Sequence, residues 1–219
     1  WFKVILHELD YCCRLLSEGD AARALHTLKR VLTILKVLVA QLDILETMTP
    51  TEFRTFRERL ESASGFQSDQ FRAFEFALGR KTRASLDRFA EGTRARAGLD
   101  KRWKAPTIWD YVIRYLAGVG YDIPADQLER DVTAPIEASE AVQAVLVKIY
   151  REDPANADLC ERLVDLDEGV QEWRYRHVKM VERTIGMKHG TGGSAGSKYL
   201  RTTLNSPAFP DLWEIRSQL

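Results

Sequence analysis

Trp173–Gly196 reads WRYRHVKMVERTIGMKHGTGGSAG, and this stretch sets the terms for the rest of the chain. Trp173, His177, Met180, Val181 and Thr184 recur at three- and four-residue steps, the spacing that lines up side chains on one face of a helix. The helix then runs into Gly190, Gly192, Gly193 and Gly196, with Thr191, Ser194 and Ala195 between them. A histidine on a rigid helix is a common way to hold a haem iron from one side. A glycine-rich loop beside it lets backbone approach a small polar ligand. Read functionally, the pair is a cofactor ligand next to a substrate loop. Read structurally, His177 is a core histidine with a hydrogen-bond partner and the loop is a connector. Spacing leaves both readings open.

The same helical period extends in both directions, and strand-like alternation is almost absent. Phe2, Ile5, Leu6, Leu9, Cys13 and Leu16 form an amphipathic first helix closed by Gly19-Asp20. A long second helix is expected from about Ala21 to Thr47, its Val31–Leu45 half so apolar that it should be buried, against another subunit among other possibilities. Thr49-Pro50-Thr51-Glu52 is a helix start, with Thr49 as cap, Pro50 at the first position and Glu52 completing a capping box. That helix should end near Leu60. Ser68 opens another to about Leu78, stopped by Gly79; Lys81–Arg96 reads as a polar surface helix. Further helices are expected over Thr107–Leu116, Glu137–Tyr150 and Ala157–Ile185, with short ones over Tyr199–Leu204 and Pro207–Leu219. The fold class is all-α, a helical bundle in one domain over 1–219, and cofactors in bundles bind between facing helices.

Composition narrows the function. The chain has 219 residues, with Lys+Arg and Asp+Glu both 32, so it lacks the basic surplus of a nucleic-acid binder. Local basic clusters such as Arg80-Lys81-Thr82-Arg83 are candidate contact patches, but such runs are usually solvated helix faces. Cys12, Cys13 and Cys160 form no Cys-x-x-Cys pair, which points to a reducing compartment and away from a zinc site. His7, His26 and His189 fit no two-histidine metal pattern. The apolar run Val31–Ala40 is broken by Lys36 and is too short to span a bilayer. The glycine loop fits no P-loop, because Lys198 follows Gly196-Ser197 and not a glycine directly, and no dinucleotide fingerprint, because a helix and not a strand precedes it. On the helix beginning at Thr49, Arg57 lies four residues after Phe53, so a guanidinium and an aromatic ring should stack on one face. That is a receptor for a molecule with a carboxylate and a flat apolar part; an exposed arginine on an amphipathic helix is the plainer alternative.

Three blocks carry a resemblance. FKVILHELD (2–10), MTPTEFRTFRERLESASGFQS (48–68) and RYRHVKMVERTIGMKHGTGGSAGSKYL (174–200) are similar, in the same order, to the tryptophan 2,3-dioxygenase family. The resemblance implies a haem b enzyme that inserts both atoms of O2 across the indole C2–C3 bond of L-tryptophan, giving N-formyl-L-kynurenine at the head of the kynurenine pathway. It implies a cytoplasmic homotetramer. By position it makes His177 the axial ligand of the haem iron, Arg57 the partner of the substrate carboxylate, and Thr191 a contact to the amino-acid end of the substrate. Phe53 stands where the family has Tyr or Phe against the substrate, so the hydroxyl of the Tyr members is missing. Ser64 and Gly65 fall in a loop near the haem. The distal histidine and the aromatics that cover a neighbouring subunit's pocket would lie upstream of Trp1, so a longer native chain is expected. The rival in another class is a helical haem-binding sensor or storage module without oxygenase activity.

Overall fold

A computed structural model describes residues 1–60, 65–190, 196–204 and 206–219. Among the described residues it is built of α-helices and short 3-10 turns, with no strand. The helices in order are α1 (Phe2–Ser17), α2 (Ala21–Glu46), α3 (Pro50–Arg57), α4 (Asp69–Ala77), α5 (Arg83–Leu86), α6 (Arg94–Trp103), α7 (Ile108–Gly118), α8 (Ala125–Leu128), α9 (Glu140–Glu152), α10 (Pro154–Ile185), α11 (Ser197–Arg201) and α12 (Pro210–Glu214). The chain divides into two compact units, one of residues 1–32, 69–167 and 207–219 and one of residues 33–68 and 168–206. The long helices α2 and α10 contribute to both.

In the first unit, α1 buries Ile5, Leu9, Cys12 and Leu16, and it packs on α4 and α7. The Phe2 ring meets Phe71 edge-on at 5.3 Å, and α7 supplies Trp109, Val112, Ile113 and Leu116, all fully buried. Each such side chain contributes roughly 1.5–3 kcal/mol through removal of apolar surface from water. The start of α7 is fixed by chemistry within the turn: Thr107 Oγ1 accepts from the Asp110 N–H, and Asp110 accepts in return from the Thr107 N–H at 2.6 Å. Asp110 also receives Arg130 Nε at 2.6 Å, so one buried carboxylate caps a helix and anchors the segment after α8.

The polar helix expected over Lys81–Arg96 is not continuous. It breaks into α5 and α6, because Gly92 takes a φ of 79° and Thr93 caps α6 by accepting from Arg96 N–H at 3.1 Å. Nor is it all surface: Lys81 is only 2% exposed and Arg96 only 6%. Charge alone is a poor guide to exposure where backbone carbonyls converge to receive it.

In the second unit, the C-terminal halves of α2 and α10 lie close together at Gly169, where an added Cβ would come 2.7 Å from Leu35 Cδ2. The Val31–Leu45 half of α2 is not buried all round: Leu35, Leu38 and Leu42 are buried, while Ile44 is 70% and Leu45 46% exposed. The capping box at Thr49 forms as the sequence predicts, with Thr49 N–H donating to Glu52 Oε2 at 2.7 Å and Glu52 N–H donating to Thr49 Oγ1 at 3.2 Å. Arg174 donates to the Thr203 carbonyl at 3.0 Å, tying α10 to the segment after α11.

Candidate functional site

The second unit carries His177, Phe53, Arg57 and both described flanks of the glycine loop. His177 sits in the C-terminal half of α10, half-buried, with its ring parallel to the indole of Trp173 one turn earlier (interplanar angle 2°, centroids 5.2 Å apart). Neither ring nitrogen has a hydrogen-bond partner among the described residues. Burial pushes the imidazole below its ordinary value of 6.5, so the ring is neutral at pH 7. A neutral imidazole with its in-plane lone pair unclaimed is the donor that a haem iron takes. The plainer reading, a core histidine satisfied by a protein partner, is not what the described residues present. The half-buried Met180 and Val181 that follow on the same stripe suit an apolar ring system. The other three histidines, His7, His26 and His189, are exposed. The described residues contain no cluster of three or more His, Cys, Asp or Glu side chains able to hold a bare metal ion.

Arg57 does not stack on Phe53 as the spacing predicts. The Phe53 ring instead meets Phe56 edge-on at 5.3 Å, and Arg57 Nη2 donates to the His189 carbonyl at 2.7 Å. Helical spacing puts two residues on one face, but a guanidinium follows the strongest acceptor in reach, here a backbone carbonyl 132 positions away. The bond ties α3 to the entrance of the glycine loop. Arg54 and Arg59 are exposed.

The flanks of the loop are pinched together. Gly196 has φ 60° and ψ −134°, a conformation open essentially to glycine alone, and a Cβ there would lie 2.5 Å from the Lys188 carbonyl oxygen. Next to it, Ser197 Oγ donates to the Gly186 carbonyl at 3.3 Å. Gly65 opens the 3-10 turn Gly65–Gln67 and is exposed. Thr191 and Ser64 lie outside the described residues.

One feature escaped the sequence reading altogether. Arg176, next to His177, pairs through one nitrogen with both Asp43 and Glu46 at the end of α2. The only trace of it in the sequence is that Asp43 and Glu46 stand three apart on one helical face.

Comparison with known proteins adds a second, independent line. The family model described as tryptophan 2,3-dioxygenase matches residues 1–96 and 140–219. The chain is similar to the tryptophan 2,3-dioxygenase of Herpetosiphon aurantiacus, at 57% identity over 219 residues, covering 100% of this chain and 84% of that protein. It is 55% identical to the tryptophan 2,3-dioxygenase of an Anaeromyxobacter species (strain K), covering 100% of this chain and 82% of the relative. It is 43% identical to that of Kineococcus radiotolerans, covering 100% and 78%.

Proposed function

The chain belongs to the tryptophan 2,3-dioxygenase family, and on that premise we propose that it cleaves the indole C2–C3 bond of L-tryptophan with O2 to give N-formyl-L-kynurenine. The observation that carries the reading is similarity across the whole chain to relatives of that name. The geometry of the second unit supports it, because an unpartnered neutral imidazole and an arginine at a loop entrance occur in the same unit.

His177 is the residue that would hold haem b, through a ring nitrogen to the iron. Haem, when bound, supplies the metal that binds and activates O2, chemistry no side chain provides. The protein's share is position and polarity. Arg57 uses one Nη2–H on the His189 carbonyl. A guanidinium has five N–H donors, so enough remain to grip the carboxylate of tryptophan. Phe53 gives the indole an apolar neighbour without a hydroxyl, which leaves the carboxylate to Arg57. Thr191 contacts the amino-acid end, and the glycine loop lets backbone come close there. Ser64 and Gly65 belong to the haem side. The enzyme acts in tryptophan catabolism as one domain per chain, in a cytoplasmic homotetramer; among the described residues no helix is long and apolar enough to cross a membrane.

The test is direct. The full-length protein, reconstituted with ferrous haem and given O2 and L-tryptophan, should produce N-formylkynurenine, read by its absorbance. A protein that takes up haem and leaves tryptophan intact would instead be a haem module of another kind. His177→Ala should lose stable haem retention; an unchanged haem spectrum in that variant refutes the ligand. A charge-assisted hydrogen bond is worth about 1.5–3 kcal/mol, so Arg57→Ala should lower kcat/KM for tryptophan about 10- to 100-fold.

A further inference from the structure

Two acids stand where helix electrostatics disfavours them. Asp43 and Glu46 occupy the last turn of α2, the negative end of the helix, and no basic residue shares that turn. Their charge is compensated from α10: Arg176 Nη2 reaches Glu46 Oε2 at 3.1 Å and also pairs with Asp43. Glu46 is the more enclosed carboxylate, its side chain 18% exposed against 63% for Asp43. Exposed ion pairs contribute little to global stability. A placement that is costly locally and adds little globally calls for another reason.

The reason lies in what the two ends of the bridge carry. On one side, Arg176 immediately precedes His177. On the other, Glu46 is the last residue of α2, and three residues later Thr49 caps α3, which bears Phe53 and Arg57. At its far end α3 is held by the Arg57 bond to the His189 carbonyl. Upstream of its near end, the last turn of α2 is held by the Arg176 bridge. We propose that Arg176 is a positioning residue: by holding Asp43 and Glu46 it fixes the start of α3, and so the substrate-binding side chains Phe53 and Arg57, against the helix that carries His177. This rests on the function proposed above, and one arm of its test does not.

That arm is amide hydrogen exchange in the haem-free protein. Arg176→Met keeps the apolar stem and removes the charge. Amides of 52–57 should exchange about tenfold faster than in wild type, equivalent to ~1.4 kcal/mol of local protection. Amides of α1 and α7 should not change. In the haem-loaded enzyme the same variant should raise KM for tryptophan about tenfold while kcat moves less than about twofold and haem content stays constant, the pattern of lost binding without lost chemistry. Asp43→Asn with Glu46→Gln should reproduce both effects, and combining the three substitutions should add nothing further. Arg176→Lys should recover part of each. Unchanged exchange at 52–57 in Arg176→Met and in the Asp43→Asn/Glu46→Gln variant would overturn the proposal, as would a lowered melting temperature with KM unaltered. If wild type fails to oxidise tryptophan while the exchange result holds, the function is wrong and the bridge still positions α3.

Discussion

Lys81 offers the most demanding test of how the first unit is held together. Its ammonium is buried, at 2% exposure, and donates to three backbone carbonyls: Trp103 at 2.8 Å, Ala105 at 2.6 Å and Val132 at 2.7 Å. One side chain thus gathers the end of α6, the turn before α7 and the segment after α8. Lys81→Met keeps the length and apolar stem but leaves three carbonyls without this donor. Hydrogen bonds to a charged group are worth about 1.5–3 kcal/mol each, which gives a gross loss of roughly 4–9 kcal/mol. Relief of the cost of burying the ammonium offsets part of that, so a net loss of ~3–5 kcal/mol is expected, the usual cost of breaking a buried charged contact. For a chain of this size each kcal/mol moves the melting temperature by about 2–4 °C, so the drop should be on the order of 6–20 °C. Thermal and urea unfolding followed by circular dichroism, with the exposed Lys148→Met as control, measure the melting temperature and the free energy. The control should stay within about 0.5 kcal/mol of wild type. If Lys81→Met melts within about 2 °C of wild type, the three carbonyls do not depend on the ammonium and the reasoning fails.

Two further outcomes follow from other parts of the fold. Gly196→Ala forces a Cβ into a glycine-only conformation 2.5 Å from the Lys188 carbonyl oxygen, a local cost of about 1–3 kcal/mol or more; exchange of the amides of 186–190 should quicken while the global melt barely moves, and unchanged protection there would contradict the pinched neck. Asp211 is fully buried, with Oδ1 taking Ser139 N–H at 2.7 Å and Gln143 Nε2 at 3.0 Å and Oδ2 unpartnered among the described residues, and burial raises its carboxyl above the ordinary 3.8. The folded state therefore takes up that proton more readily than the unfolded chain, so the stability it adds is whole below about pH 4 and fades as pH rises through the folded value. Asp211→Asn, neutral throughout, should gain on wild type in urea titrations as pH is raised from about 4 to 7; a difference that stays constant with pH would remove Asp211 as the cause.

The sequence by itself determined the parts of this protein that depend on neighbours along the chain. Helical period is a local property, and so are caps: the Thr49–Glu52 box and the Gly79 stop were legible because each involves residues within one turn. The long helix carrying His177 was legible for the same reason, and family membership was legible because whole blocks of residues recur in order. Only the tertiary structure decided where the charged side chains end. That Lys81 is buried, that Arg57 bonds His189 and not the face of Phe53, and that Arg176 answers the acids of α2 are pairings across 22 to 133 positions. A long flexible cation on a helix can reach many partners, and its choice is set by which acceptors the fold brings within about 3 Å, a distance that no periodicity encodes.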